Sequence, residues 1–140
     1  MLDVELTTDK ITSSTRKKNI LLAEDDTSIR RFIEVILQRE NYAVLTAQDG
    51  LEAMKLALNN DIDAVVADAM MPNLGGYDLC RMLRQNPLFK NIPFIILSGM
   101  EREEFANSEI QADAYLLKGN DLKEVLTETL SELLSQKVNF

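Results

Sequence analysis

Residues 19–37 read NILLAEDDTSIRRFIEVIL. The run Ile20-Leu21-Leu22-Ala23 is short, wholly apolar and without alternation, which predicts a strand covered on both faces. It stops on Glu24-Asp25-Asp26. Ile29, Phe32, Ile33, Ile36 and Leu37 then recur at i, i+3, i+4, i+7 and i+8, the stripe of an amphipathic helix. Asp26 or Thr27 can cap its start, and Asn41 can end it.

The same strand-then-helix unit repeats outward from this stretch. Tyr42 to Ala47 is strand-like, Asp49-Gly50 marks a turn, and Leu51, Met54, Ala57 and Leu58 have helical spacing. Ala64-Val65-Val66-Ala67 is a second buried run, ending on Asp68, with a Pro72 and Gly75-Gly76 loop leading to a helix over 77–84. Phe94-Ile95-Ile96-Leu97 ends at Ser98, and Tyr115-Leu116-Leu117 ends at Lys118. Leu122, Val125, Leu126, Leu130, Leu133 and Leu134 give a final amphipathic helix. About five alternations predict an α/β fold: a doubly wound, five-stranded parallel sheet flanked by five helices. The fourth helix, EREEFANSE over 101–109, is expected to be short or irregular. Residues 1–18 are polar and aperiodic and read as a flexible N-terminal arm before a domain over 19–140.

Composition narrows the function classes. The 140 residues suit one domain, and 46% hydrophobic content marks a globular chain. The absence of histidine excludes a Ser-His-Asp triad, and with a single cysteine, Cys80, neither an internal disulfide nor a zinc site is expected. Cys80, Met54, Met71 and Met82 are read as packing residues. No apolar run approaches the roughly 20 residues of a membrane helix, and no secretory signal is evident, so a cytoplasmic protein is expected. With 15 basic and 23 acidic residues the net charge is −8, which argues against nucleic acid or an anionic membrane as partner. The basic cluster at 16–18 reads as a solvated patch on the arm.

The polar residues that end the apolar runs all fall on one edge of such a sheet, where ligands bind in open α/β folds. Glu24, Asp25 and Asp68 would repel one another unless a cation sat among them. An all-oxygen, open site suits Mg²⁺ with phosphate as a partner. Ser98 and Lys118 can meet a phosphoryl group from the other side.

At this point four motifs converge. ILLAEDDTSIRRFIEVIL, IDAVVADAMMPNLGGYDLCRMLR, PFIILSG and DAYLLKG, in this order over residues 19 to about 137, resemble the response-regulator receiver domain, the family typified by the chemotaxis regulator CheY. The resemblance implies that Asp68 accepts the phosphoryl group. Asp25 would ligate Mg²⁺, with Glu24 beside it, Asp68 itself and the Met70 backbone carbonyl. Ser98 would be the switch hydroxyl, Tyr115 the switch aromatic, and Lys118 the partner of a phosphoryl oxygen. The donor would be a sensor histidine kinase or a histidine phosphotransfer domain, and phosphorylation would switch binding to a downstream protein. The chain would be a phosphoacceptor and not an enzyme, with no DNA-binding output domain over these residues. Whether it stands alone or belongs to a longer protein is left open.

Three positions colour that expectation. The family usually has proline after the lysine, joined by a cis bond; Gly119 predicts a trans bond or a looser loop. Met70 and Met100 lie two residues past Asp68 and Ser98, where polar side chains would orient a hydrolytic water, so slow self-dephosphorylation is expected. A haloacid-dehalogenase-type phosphatase would need an acid where Met70 stands. An interaction module that no longer uses phosphate is a third possibility, opposed by the intact acidic and Lys118 positions.

Overall fold

The computed structural model describes residues 16–99 and 112–138. The elements are β1 (Asn19–Ala23), α1 (Thr27–Arg39), β2 (Ala43–Ala47), α2 (Gly50–Asn59), β3 (Ala64–Asp68), α3 (Gly76–Arg84), β4 (Phe94–Ser98), β5 (Ala114–Leu117) and α4 (Leu122–Val138). All five strands are parallel, in the order β2-β1-β3-β4-β5. The expected helix over 101–109, Met100 and most of the expected N-terminal arm lie outside the described residues.

Alternation along the strands divides the core in two. Leu21, Ala23, Val65, Ala67, Phe94 and Ile96 meet Ala53 and Ala57 of α2 and Leu79, Cys80 and Leu83 of α3. Ile20, Leu22, Ala64, Val66, Ile95 and Leu97 meet Ile33 and Leu37 of α1 and Leu122, Leu126, Leu130 and Leu134 of α4. Helices on both faces explain why β1, β3 and β4 read as unbroken apolar runs. β5 departs from that reading: it is an edge strand, half-buried, with Leu117 49% exposed. The helix stripes also shift slightly. Phe32, Leu51, Leu58 and Met82 are exposed, while Met54 and Met71 pack partly against the core as expected.

Local signals set the boundaries of α1. The Asp26 side chain accepts from the Ile29 N–H at 2.9 Å and is the N-cap. At the other end Asn41 takes a left-handed φ of 71°. Its N–H donates to Gln38 O at 3.0 Å and that of Tyr42 to Leu37 O at 3.1 Å. These are the two bonds of a Schellman ending, and asparagine tolerates the conformation they require.

The topology places the site. The chain leaves β1 for β2 on one side and then crosses back to β3 on the other, so strand order reverses between β1 and β3. Ala23 pairs in register with Ala67, which brings Glu24 and Asp68 side by side at the carboxyl edge. On the far side of β4, the amino end of β5 is pinned. Asp113 Oδ2 accepts from Arg84 at 2.9 Å and from the Phe94 N–H at 2.8 Å. Arg84 also donates to the carbonyls of Phe89 and Ile92. At the other end the Lys118 N–H donates to Ser98 O at 2.8 Å. An edge strand fixed at both ends fixes Lys118.

Candidate functional site

Five residues predicted from the sequence lie at the carboxyl edge. Glu24 follows β1 and is fully buried, and Asp68 ends β3 at 6% exposure. Lys118, just past β5, reaches across and bridges them: its Nζ lies 2.9 Å from Glu24 Oε1 and 3.0 Å from Asp68 Oδ2. Asp25 is exposed, yet one carboxylate oxygen from each of Glu24, Asp25 and Asp68 lies within 4.8 Å of the others. Ser98, at the end of β4, is buried. The Lys118–Gly119 bond is trans, since no cis peptide occurs among the described residues. The lysine nevertheless reaches both carboxylates without a proline behind it.

Backbone contacts hold these groups. The Asp26 N–H donates to Glu24 Oε2 at 3.1 Å, and the Met70 N–H approaches Asp68 Oδ1 at 3.4 Å. Gly76 begins α3 directly against β3: a Cβ there would lie 2.4 Å from the Asp68 carbonyl oxygen. No other residue allows that approach.

The electrostatics follow from burial and charge. Desolvation raises the Glu24 carboxyl above its usual range. Lys118 and the Asp26 amide pull it back only partly, and the Asp68 charge adds to the rise. For Lys118, burial acts downward but is outweighed by the two carboxylates, so its ammonium is held above the ordinary lysine value. Among the described residues three carboxylates face one ammonium, and Glu24 Oε1, though buried and near Lys118, receives no directed hydrogen bond. A hard divalent cation fits this donor set, because it accepts carboxylate oxygens and keeps its remaining waters in an open site. Asp25, on the exposed side, leaves the approach open.

The remaining expected residues sit around the cluster. Met70 is 63% exposed at the rim, with a thioether that offers water little. Tyr115 is half-buried and packs against the core beneath α2 and α3. Arg30 was not singled out by the sequence. It lies one turn into α1 and donates to the Glu24 carbonyl at 2.8 Å, bracing the turn that carries the acidic pair. Nothing in the pattern separates it from Arg31, which among the described residues pairs with Glu34.

The chain matches the family described as the response regulator receiver domain over residues 20–130. Among curated proteins it is 35% identical over 119 residues to the response regulator ArlR of Staphylococcus saprophyticus, covering 84% of this chain and 53% of that protein. The chain thus spans about half the length of the curated relatives it matches. Among solved structures, the response regulator TrrA of Thermotoga maritima, in complex with Mg²⁺ and BeF, is 30% identical with a TM-score of 0.75, covering 83% of this chain and 98% of that one. The signal receiver domain of a histidine kinase from Syntrophus aciditrophicus is 29% identical with a TM-score of 0.79, covering 85% and 91% respectively.

The Glu24 shift carries a stability prediction. A carboxyl whose value is raised by folding contributes stability that is complete below its unfolded value and is lost as pH rises through the folded one. Glutamine keeps the shape and does not titrate. Glu24→Gln is therefore expected to melt a few degrees above the parent at neutral pH without divalent cation, with the gap closing as pH falls into the ordinary carboxylate range. Thermal melts across that range check it, and equal or lower melting of the variant at neutral pH contradicts it.

Proposed function

This chain belongs to the response regulator receiver domain family, and on that premise we propose that it is the phosphoacceptor of a two-component or phosphorelay system, receiving a phosphoryl group on Asp68. One observation carries the reading: Asp68 is a nearly buried carboxylate at the strand-order reversal, 3.0 Å from the Lys118 ammonium and clustered with two further carboxylates.

The donor is a phosphohistidine on a sensor kinase or a histidine phosphotransfer domain. An Asp68 carboxylate oxygen attacks phosphorus as the P–N bond breaks. The electron pair of that bond stays on the imidazole nitrogen, which takes up a proton. Carboxylates are weak nucleophiles, so positioning and charge neutralisation do most of the work. Asp25, Asp68 and the Met70 carbonyl, with Glu24 beside them, would hold Mg²⁺, whose charge offsets that of the transferring group. Lys118 then exchanges its contact with Asp68 for one with a phosphoryl oxygen. The Ser98 hydroxyl supplies a second partner for the new negative charge. Ser98 is already tied to Lys118 through the backbone, so the two respond together. Tyr115, three residues before Lys118 on the same edge strand, relays the change to a downstream partner.

The Thermotoga relative's complex with Mg²⁺ and BeF supports the assignment of metal and phosphoryl positions by analogy. The chain acts as acceptor and switch, not as an enzyme with a separate substrate, and works in the cytoplasm. No helix among the described residues is long and apolar enough to cross a membrane.

Incubation with acetyl phosphate and Mg²⁺, read by intact mass, tests the reading. One added phosphoryl group that requires Mg²⁺ and is absent from Asp68→Asn is expected. No modification of the parent, or equal modification of the variant, overturns it in favour of a module that does not use phosphate. The exposed thioether at Met70 makes a second expectation measurable. After donor removal, Met70→Asn should lose phosphate roughly threefold faster or more, because an amide can orient water. An unchanged decay rate contradicts that role.

A further inference from the structure

The loop between Asp68 and α3 is fastened at its tip by a contact that touches none of the acidic residues of the site. Asn73 Nδ2 donates to Asp49 Oδ2 at 2.8 Å. Asp49 is the N-cap of α2, and its other oxygen, Oδ1, accepts from the Glu52 N–H at 2.8 Å. Glu52 in turn accepts from the Gln48 N–H at 2.7 Å, so the start of α2 is braced on both sides. Beside this contact the two loops meet backbone to backbone. A Cβ on Gly50 would lie 2.1 Å from the Leu74 carbonyl oxygen.

Asn73 sits at the centre of a tight turn. Its φ is 68°, and the Leu74 N–H donates to Pro72 O across it at 2.6 Å. A three-residue turn with positive φ at its centre is strained, and it persists where surrounding contacts over-determine it. The base of the loop is closed by the Gly76 N–H donating to Ala69 O at 3.1 Å. Residues 70–72, with the Met70 carbonyl among them, thus lie between this bond and the clamped tip, so that loosening at the tip is read at the Gly76 N–H.

We propose that Asn73 and Asp49 are positioning residues that fix the loop after Asp68 in the shape that presents the Met70 carbonyl to a divalent cation. The proposal deepens the functional reading above and rests on it. The bonds from the Glu52 N–H and the Asn73 amide hold the Asp49 carboxyl below its ordinary value. The clamp works by pre-organisation: a loop already shaped spends no binding energy on being ordered.

Three variants separate this role from simple helix capping. Asn73→Gly accepts the same φ without strain and removes the amide, at the cost of added backbone freedom that the other two variants do not bring. Asn73→Asp sets two carboxylates against each other. Asp49→Asn combined with Asn73→Asp reverses donor and acceptor, while the amide oxygen introduced at position 49 can still cap α2. Two measurements apply to each. Amide hydrogen exchange without metal reads the Gly76 N–H, with Ile29 on α1 as internal reference. A Mg²⁺ titration by calorimetry reads affinity. The expected result is faster Gly76 exchange, and Mg²⁺ binding weakened by roughly tenfold, in Asn73→Gly and Asn73→Asp, with both restored by the reversed pair. Parent-like exchange and affinity in Asn73→Gly overturn the proposal, as does a folded reversed pair that restores neither. Should the parent itself bind no Mg²⁺, the functional reading and the metal part of this proposal fall together. Slowed or unchanged Gly76 exchange in Asn73→Gly refutes the clamp itself, whatever the metal does.

Discussion

The Lys118 ammonium between Glu24 and Asp68 is the contact on which the rest of the site depends. Burying a carboxylate without a partner costs several kcal/mol even after relaxation, and here two are buried side by side. Lys118 offsets that cost at 2.9 and 3.0 Å. It does so incompletely. Glu24 is still held above the usual carboxylate range by desolvation, while Lys118, despite its own burial, is held above the usual lysine value. Both directions describe the same imbalance: more negative charge than the one ammonium neutralises, with Asp25 adding to it from the rim. A site in that condition fits a divalent cation. The charge that would draw a cation is a burden to the fold without one.

The rest of the structure can be understood as what that arrangement requires. Glu24 and Asp68 come from neighbouring strands whose register is fixed by apolar residues on both faces. Lys118 comes from the far edge of the sheet, from a short and half-exposed strand. Such a strand is paired on one side only. Its amino end is accordingly bolted to β4 and α3 through Asp113 and Arg84, and its carboxyl end to Ser98. On the other side, the absence of a side chain at Gly76 lets α3 press against the Asp68 carbonyl. The clamp at Asn73 belongs to the same logic, carried one loop further from the chemistry.

Much of this was legible in the sequence, for a physical reason. Strands covered on both faces must be apolar throughout, so a polar residue at the end of such a run stands out, as Glu24, Asp68 and Ser98 do; Lys118 ends a shorter apolar run at the edge of the sheet. Asp26 and Asn41 were legible because helix ends demand a narrow set of residues. What was not legible depends on approach between segments distant in sequence. Asp49 to Asn73 spans 24 residues, and nothing local marks Asn73 as more than a turn residue. Arg30 is one of two adjacent arginines, and only the turn of α1 decides that it, and not Arg31, reaches the Glu24 carbonyl. The edge position of β5 was not legible for a similar reason, since an apolar run does not announce that it is at the edge. The glycine after Lys118 suggested a looser lysine, yet the pull of two carboxylates on a trans backbone aims it well enough.

The central claim is that Lys118 is the counter-charge of a carboxylate pair that a divalent cation can take over. Nitrogen NMR of isotope-labelled lysine reads it directly, with the Lys118 Nζ signal assigned by its loss in Lys118→Arg. The account predicts that this ammonium titrates above an ordinary exposed lysine, and that its signal shifts in a saturable way when Mg²⁺ is added. A Lys118 that titrates at or below the ordinary value, with a signal indifferent to Mg²⁺, would contradict it.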